Sequence, residues 1–225
     1  MLAAVPDARH FTEELNLLKD RLIHMGGLAQ ARVADGLNAL VDADKHKVQK
    51  LINGDDVLNK LQLEIDDRCF KLLALNQPVA TDLRLIVSAI KISADLERVG
   101  DLAVNIAEAT VPYLGYQPVK ALIDLPRMGE IAQQMLASAL TAFLTNNAEA
   151  AKSVLAADDR LDALKDQVFR ELLTYMLGNA ETIAPAVELI LISRHLERIG
   201  DHATNIAEDV IFITEARDVR HSRRK

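Results

Sequence analysis

The chain has 225 residues and is half apolar, yet it contains only five Phe, three Tyr and no Trp. Nine Gly and six Pro make it poor in turn-forming residues, which argues against an all-β sandwich, a collagen-like chain or a low-complexity chain. The formal net charge of −7 argues against nucleic-acid binding by the bulk of the protein. No uncharged apolar stretch approaches the roughly 18 residues of a membrane span.

Apolar residues that recur at steps of three and four predict six helices in an all-α fold. The first three predicted helices run over Leu15–Val41, Val48–Leu72 and, after Gln77–Pro78, about Thr81–Val111. A cluster of Pro and Gly over residues 112–118 separates them from three more, about Leu122–Asn146, Ala148–Leu177 and Thr182–Ala216.

The two sets of three helices are copies of each other. With an offset of 100 residues, segments 95–108 and 195–208 are identical at ten of fourteen positions. Upstream the offset is 103, which pairs Met25–Gly26 with Met128–Gly129. The sequence therefore predicts two tandem repeated three-helix bundles, residues 1–116 and 117–216, followed by a basic tail, residues 217–225.

Glycines recur at equivalent positions inside the predicted helices, at Gly26 and Gly129 and again at Gly100 and Gly200. Because Gly costs about 1 kcal/mol relative to Ala in a helix interior, its presence in both copies needs a reason. We expect close packing of a neighbouring helix at both pairs. At the second pair, room for an approaching ligand is the alternative.

Each copy of the repeated segment carries a stripe of acidic and amide side chains. The first-half stripe comprises Glu97, Asp101, Asn105 and Glu108, and the second-half stripe comprises Glu197, Asp201, Asn205 and Glu208. The spacing of four, four and three residues places each set within an arc of about 80° on a helix. Apolar residues fill the opposite side, so each stripe faces away from its own apolar seam.

Each predicted second helix adds a pair of polar side chains four residues apart. The pair is Asp158 and Asp162 in the second half and Asp55 and Asn59 in the first half. If antiparallel packing brings Asp158 and Asp162 beside the second-half stripe, several carboxylate oxygens gather at one place. An oxygen-rich cluster without thiolates suits Fe, Mn, Mg or Ca rather than structural zinc.

A solvated surface is the competing interpretation of these acids, because acidic residues at helical spacing usually face water. The repetition of the same acids in two otherwise diverged halves favours a site for metal or for a protein partner. A ferritin-like metal-storage or oxidase bundle is a further alternative, but the chain lacks the E-x-x-H motif of such bundles. A plain oligomerisation module would leave the repeated acids unexplained. The absence of catalytic motifs predicts a protein that is not an enzyme.

Four motifs in this order resemble the signature of the PhoU family. They are Met25–Gly27, Gln77–Arg84, Asp95–Glu108 and His195–Glu208, and the similarity extends from about Phe11 to Thr214. The resemblance implies two three-helix bundles lying side by side in a cytosolic regulator of phosphate signalling. It further implies a link between the phosphate ABC transporter, through its ATPase, and the phosphate sensor histidine kinase. The family holds that kinase in its repressing state and restrains uptake when phosphate is plentiful.

The resemblance also implies metal ligands, because some family members carry iron or zinc clusters on E/D-x-x-x-D pairs. The matching pairs are Glu97/Asp101, Glu197/Asp201 and Asp158/Asp162, with Asp55/Asn59 as the fourth. Asn59 departs from the family's Asp, and a neutral amide binds hard cations more weakly than a carboxylate does. We therefore expect the second-half site to hold Fe or Zn, or else Mg or Mn, better than the first-half site. A homodimer is the expected assembly.

Overall fold

A computed structural model describes residues 8–54 and 56–220. The described residues form α-helices and one short 3-10 turn, Ala180–Thr182. The helices are α1 (Ala8–Val41), α2 (Lys45–Ile52), α3 (Val57–Asn76), α4 (Ala80–Tyr113), α5 (Asp124–Thr145), α6 (Ala148–Gly178) and α7 (Ile183–Glu215). The predicted all-α fold with six long helices is confirmed, and α2 is an additional helix of eight residues. None of these helices combines the length and the hydropathy needed to cross a bilayer.

The second predicted helix, Val48–Leu72, is wrong as one continuous element. Helix α2 starts after Asp44, whose side chain accepts hydrogen bonds from the backbone N–H groups of His46 and Lys47. It ends at Ile52, where the backbone N–H of Asn53 donates to the Gln49 carbonyl and Gly54 follows. Glycine favours such a helix end because it costs about 1 kcal/mol in a helix interior.

The helices form two bundles that lie side by side, as expected. In the first bundle α1, α3 and α4 pack together and α2 covers one end, whereas α5, α6 and α7 form the second bundle. Helix α4 packs against α7 across the two bundles, and α1 packs against α5. Most of the buried apolar side chains form one cluster that extends through both bundles, to which the repeat-equivalent residues Leu96 and Leu196 both belong, each fully buried. A second, small cluster lies where α2 packs against α1 and α4. The described part of the basic tail carries Arg217 and Arg220, whereas residues 221–225 lie outside the described residues.

Two glycines permit the close approach of α1 and α5. A Cβ at Gly26 would lie 2.5 Å from Leu140 Cδ1, and a Cβ at Gly129 would lie 2.2 Å from Leu37 Cδ1. The repeat offset of 103 relates the two glycines and also the two leucines. The contact is therefore reciprocal, as a pseudo-twofold relation between the halves requires. The close packing expected at these glycines is present, and it occurs between the bundles.

Polar contacts between α4 and α7 do not follow the repeat. Lys91 Nζ lies 3.0 Å from Asp209 Oδ1, and Asp209 is almost fully buried. The same ammonium lies 5.5 Å from the centre of the Phe212 ring. Farther along α4, Asp95 Oδ1 lies 2.7 Å from His202 Nδ1. These contacts tie the last helix of one bundle to the last helix of the other by charge as well as by apolar burial.

Two unequal acidic sites

The first-half stripe lies on α4, where Val99, Leu102 and Ile106 face the core and are buried. The Arg98 guanidinium spans its first two acids, with Nε 3.7 Å from Glu97 Oε2 and Nη1 3.5 Å from Asp101 Oδ2. Burial of the Glu97 side chain, and next the nearby Asp101 carboxylate, raise the pKa of Glu97 above its ordinary value. An arginine of the same helix therefore neutralises part of this stripe.

The second-half site joins α6 and α7. Partial burial, and then the carboxylates of Glu197, Asp158 and Asp162, raise the pKa of Asp201 from 3.8 to about 6. The structure thus places Asp201 within electrostatic reach of the other three predicted ligands of the second half. Across the described ranges, no group of three or more His, Cys, Asp or Glu side chains has an arrangement that could hold a metal ion. Bound metal at this site therefore remains a prediction.

A lysine that sequence reasoning missed lies among the acids of the second-half site. Lys165 Nζ lies 3.2 Å from Glu197 Oε1, 3.6 Å from Asp162 Oδ1 and 3.7 Å from Asp166 Oδ1. Its ammonium therefore supplies positive charge where the sequence predicts a cation. The spacing of Asp162 and Lys165, three residues apart on one helix, is the signal that could have identified the pairing.

The first-half site lacks the charges that Lys165 and Asp162 carry in the second half. The repeat places Gln62 where the second half has Lys165, and Asn59 where it has Asp162. Asn59 is exposed on α3. The remaining predicted ligand, Asp55, lies outside the described residues. The two halves therefore present related sites of different charge, with the richer set of carboxylates in the second half.

The glycines inside the stripes make room for the neighbouring helix. A Cβ at Gly100 would lie 2.2 Å from Leu58 Cδ1 of α3, and a Cβ at Gly200 would lie 2.4 Å from Leu161 Cδ2 of α6. The repeat offset of 103 relates Leu58 to Leu161. Of the two explanations for these glycines, helix packing is the one that the contacts support.

Two tandem helical bundles whose last helices carry repeated acidic stripes define a duplicated all-α protein. Comparisons with known proteins show the family to which it belongs. A family model described as the PhoU domain matches residues 22–110 and 125–210. The chain belongs to the PhoU family, as its motifs indicate.

Curated relatives match nearly the whole chain. The chain is 40% identical over 218 residues to the phosphate-specific transport system accessory protein PhoU homolog of Caulobacter vibrioides, covering 96% of this chain and 95% of that protein. It is 39% identical to the corresponding homolog of Pseudomonas aeruginosa, covering 95% and 89% of the two chains.

Two crystal structures share the fold. PhoU from Pseudomonas aeruginosa superimposes with a TM-score of 0.87 at 39% identity, covering 92% of this chain and all of that chain. The phosphate transport system regulatory protein PhoU from Streptococcus pneumoniae superimposes with a TM-score of 0.86 at 31% identity, covering 93% and 99%. The architecture described above is thus the architecture of the family.

The raised pKa of Asp201 predicts a pH dependence of stability in the metal-free protein. Because its pKa is about 6 in the folded state and 3.8 ordinarily, the folded state binds this proton more tightly. The contribution of Asp201 to the free energy of unfolding therefore falls as pH rises from about 4 to about 6. We expect Asp201→Asn to stabilise the protein at pH 7 by up to about 1 kcal/mol, since the carboxylate is partly exposed, and to have little effect near pH 4.

Urea unfolding of both proteins in the presence of a chelator, at pH 4.5 and pH 7, measures this difference. The matched control is Asp101→Asn, which removes the equivalent carboxylate in the first half, where Arg98 lies 3.5 Å away. A stabilisation by Asp201→Asn that is the same at both pH values would contradict the raised pKa of Asp201.

Proposed function

We propose that this chain is an accessory regulator of phosphate uptake that acts in the cytoplasm. In this proposal it contacts the ATPase of the phosphate ABC transporter and the phosphate sensor histidine kinase, and holds the kinase in its repressing state when phosphate is plentiful. The observation that carries the proposal is family membership over nearly the whole chain. The names of the relatives support it, because they describe an accessory protein of a phosphate-specific transport system.

Exposed apolar side chains at repeat-equivalent positions support a role in protein binding. Four positions are exposed and apolar in both halves, namely Val41 and Leu144, Phe70 and Leu173, Leu83 and Ile183, and Val87 and Val187. Exposed apolar residues that recur in this way are typical of surfaces that contact other proteins. A duplicated face also suits a protein with two partners, or a homodimer, which we include in the proposal.

Metal binding at the second-half site is a separate part of the proposal. The support is the group of carboxylates that, together with burial, raises the pKa of Asp201, and among them Glu197 has the largest effect. Oxygen ligands of this kind suit Fe, Mn or Mg, and the family resemblance adds Zn. A bound cation would replace the Lys165 ammonium as the positive charge that the acids face.

The regulatory function is tested by deleting the gene and measuring phosphate-starvation genes in high phosphate. We expect these genes to be expressed despite the phosphate, and the full chain supplied in trans to restore repression. Pull-downs with the transporter ATPase and the sensor kinase then test the two contacts. Unchanged repression in the deletion strain would refute the regulatory function, whatever the pull-downs show.

Metal binding is tested by elemental analysis and by Mn²⁺ titration of the loaded full chain. We expect Glu197→Gln with Asp201→Asn to lower the amount of bound metal tenfold or more without unfolding the protein. A loss on the order of tenfold is what the removal of one charged ligand would cause. Lys165→Gln, which installs the residue of the first half, should instead raise Mn²⁺ affinity because it removes a competing ammonium.

The matched control for the metal experiment is Glu97→Gln with Asp101→Asn in the first-half stripe. This pair makes the same change in charge and is expected to lower bound metal less than the second-half pair does. Wild-type protein that retains no Fe, Zn, Mn or Mg after loading would eliminate metal binding and leave partner binding as the role of the stripes.

A further inference from the structure

A cavity of about 420 Å³ opens between α6 and α7 in the second bundle, beside the second-half site. Lys165, Asp166 and Phe169 line it from α6, and Arg194, Glu197 and Arg198 line it from α7. Cavities that bind small organic ligands begin at roughly 300 Å³, so this one is large enough for more than an inorganic ion.

Two of the cations in this cavity have no ion-pair partner among the described residues. Arg194 and Arg198 lie one turn apart on α7, and neither forms an ion pair or a side-chain hydrogen bond with another residue in the described parts of the chain. Lys165, by contrast, lies 3.2 Å from Glu197 Oε1. Lys165 therefore offsets one of the two carboxylates that line the cavity, Asp166 and Glu197, and the three cations give the lining a net positive charge. The two guanidinium groups remain available to an anion.

The repeat shows that the pair of arginines occurs in the second half alone, because only one of the two has an arginine as its equivalent. The position equivalent to Arg194 is Ala94, and the position equivalent to Arg198 is Arg98. Arg98 forms ion pairs with two acids of its own helix: its Nε lies 3.7 Å from Glu97 Oε2 and its Nη1 lies 3.5 Å from Asp101 Oδ2. The first half has no equivalent of two arginines without ion-pair partners, so the internal repeat alone does not explain why they lie beside a cavity in the second half.

We propose that this cavity binds the phosphoryl group of a small phosphorylated molecule between Arg194 and Arg198. Guanidinium groups donate two parallel hydrogen bonds to a phosphate, which favours phosphoryl oxygens over other anions. The Phe169 ring, 49% exposed at the cavity wall, offers an apolar surface for an attached organic group such as a nucleoside. Free inorganic phosphate and a nucleoside monophosphate share the phosphoryl chemistry and are the two sources to distinguish. The proposal does not depend on the regulatory function.

The test is isothermal titration calorimetry of the full chain with AMP, adenosine and inorganic phosphate as separate ligands. We expect Arg194→Gln with Arg198→Gln to weaken binding of the phosphorylated ligand about a hundredfold, since each charge-assisted contact contributes about tenfold. Both side chains are exposed, so the double variant should keep the wild-type melting temperature.

The matched control is Arg98→Gln with Arg127→Gln, which removes the same charge at exposed positions outside the cavity. This control variant should bind AMP and phosphate with an affinity within about twofold of the wild-type value, because it loses only long-range charge. Phe169→Ala distinguishes the sources. Weaker AMP binding with unchanged phosphate binding assigns the site to a nucleotide, whereas AMP and phosphate of equal affinity, both unaffected by Phe169→Ala, assign it to the phosphoryl group alone.

Three results would overturn the proposal. One is the absence of measurable binding of both AMP and phosphate at millimolar concentrations. Another is adenosine binding as tightly as AMP, since it carries no phosphoryl group. The last is equal loss of affinity in the cavity variant and in the control variant, which would indicate a response to net charge rather than a site.

Discussion

The contact between α4 and α7 is the constraint on which the rest of the structure depends. It joins the last helices of the two bundles, and these same helices carry both acidic stripes. Within this contact Asp209 is buried, and the Lys91 ammonium 3.0 Å away supplies its countercharge. A buried carboxylate without a partner is strongly unfavourable, so this pair ties the position of one bundle to that of the other. The two stripes are thereby held in a fixed relation on one unit.

Divergence between the halves is concentrated in polar residues. The buried leucines and the packing glycines keep their equivalents, as Gly100 with Leu58 and Gly200 with Leu161 show. The charges around the stripes do not, because Lys165 has a glutamine as its equivalent. Packing thus preserves the architecture while substitutions on the surface allow the two sites to differ. The second half, with its extra carboxylates, its lysine and its cavity, is where we locate metal and anion chemistry.

Helical periodicity and the internal repeat were sufficient to predict the six long helices, the two bundles and the paired stripes. Such features depend on local spacing, which a single sequence displays directly. The break at Asn53–Gly54 was missed because the apolar pattern continues across it. The Lys91–Asp209 pair was beyond prediction, since it joins residues 118 positions apart and its repeat-equivalent residues, Leu191 and Ala109, are apolar. Contacts between the halves depend on how the bundles dock, which no local pattern specifies.

The central claim is that the contact between α4 and α7 joins the two bundles into one folding unit, and that burial of Asp209 in this contact requires the Lys91 ammonium as its countercharge. Equilibrium urea unfolding of Lys91→Leu, Asp209→Ala and the double variant tests it most directly. The account predicts a single transition and a loss of about 3–5 kcal/mol for Lys91→Leu, which strands a buried carboxylate. The double variant, which reproduces the apolar pair of the other half, should recover most of that loss. Additive losses in the double variant, or separate transitions for the two bundles of the wild-type protein, would contradict the claim.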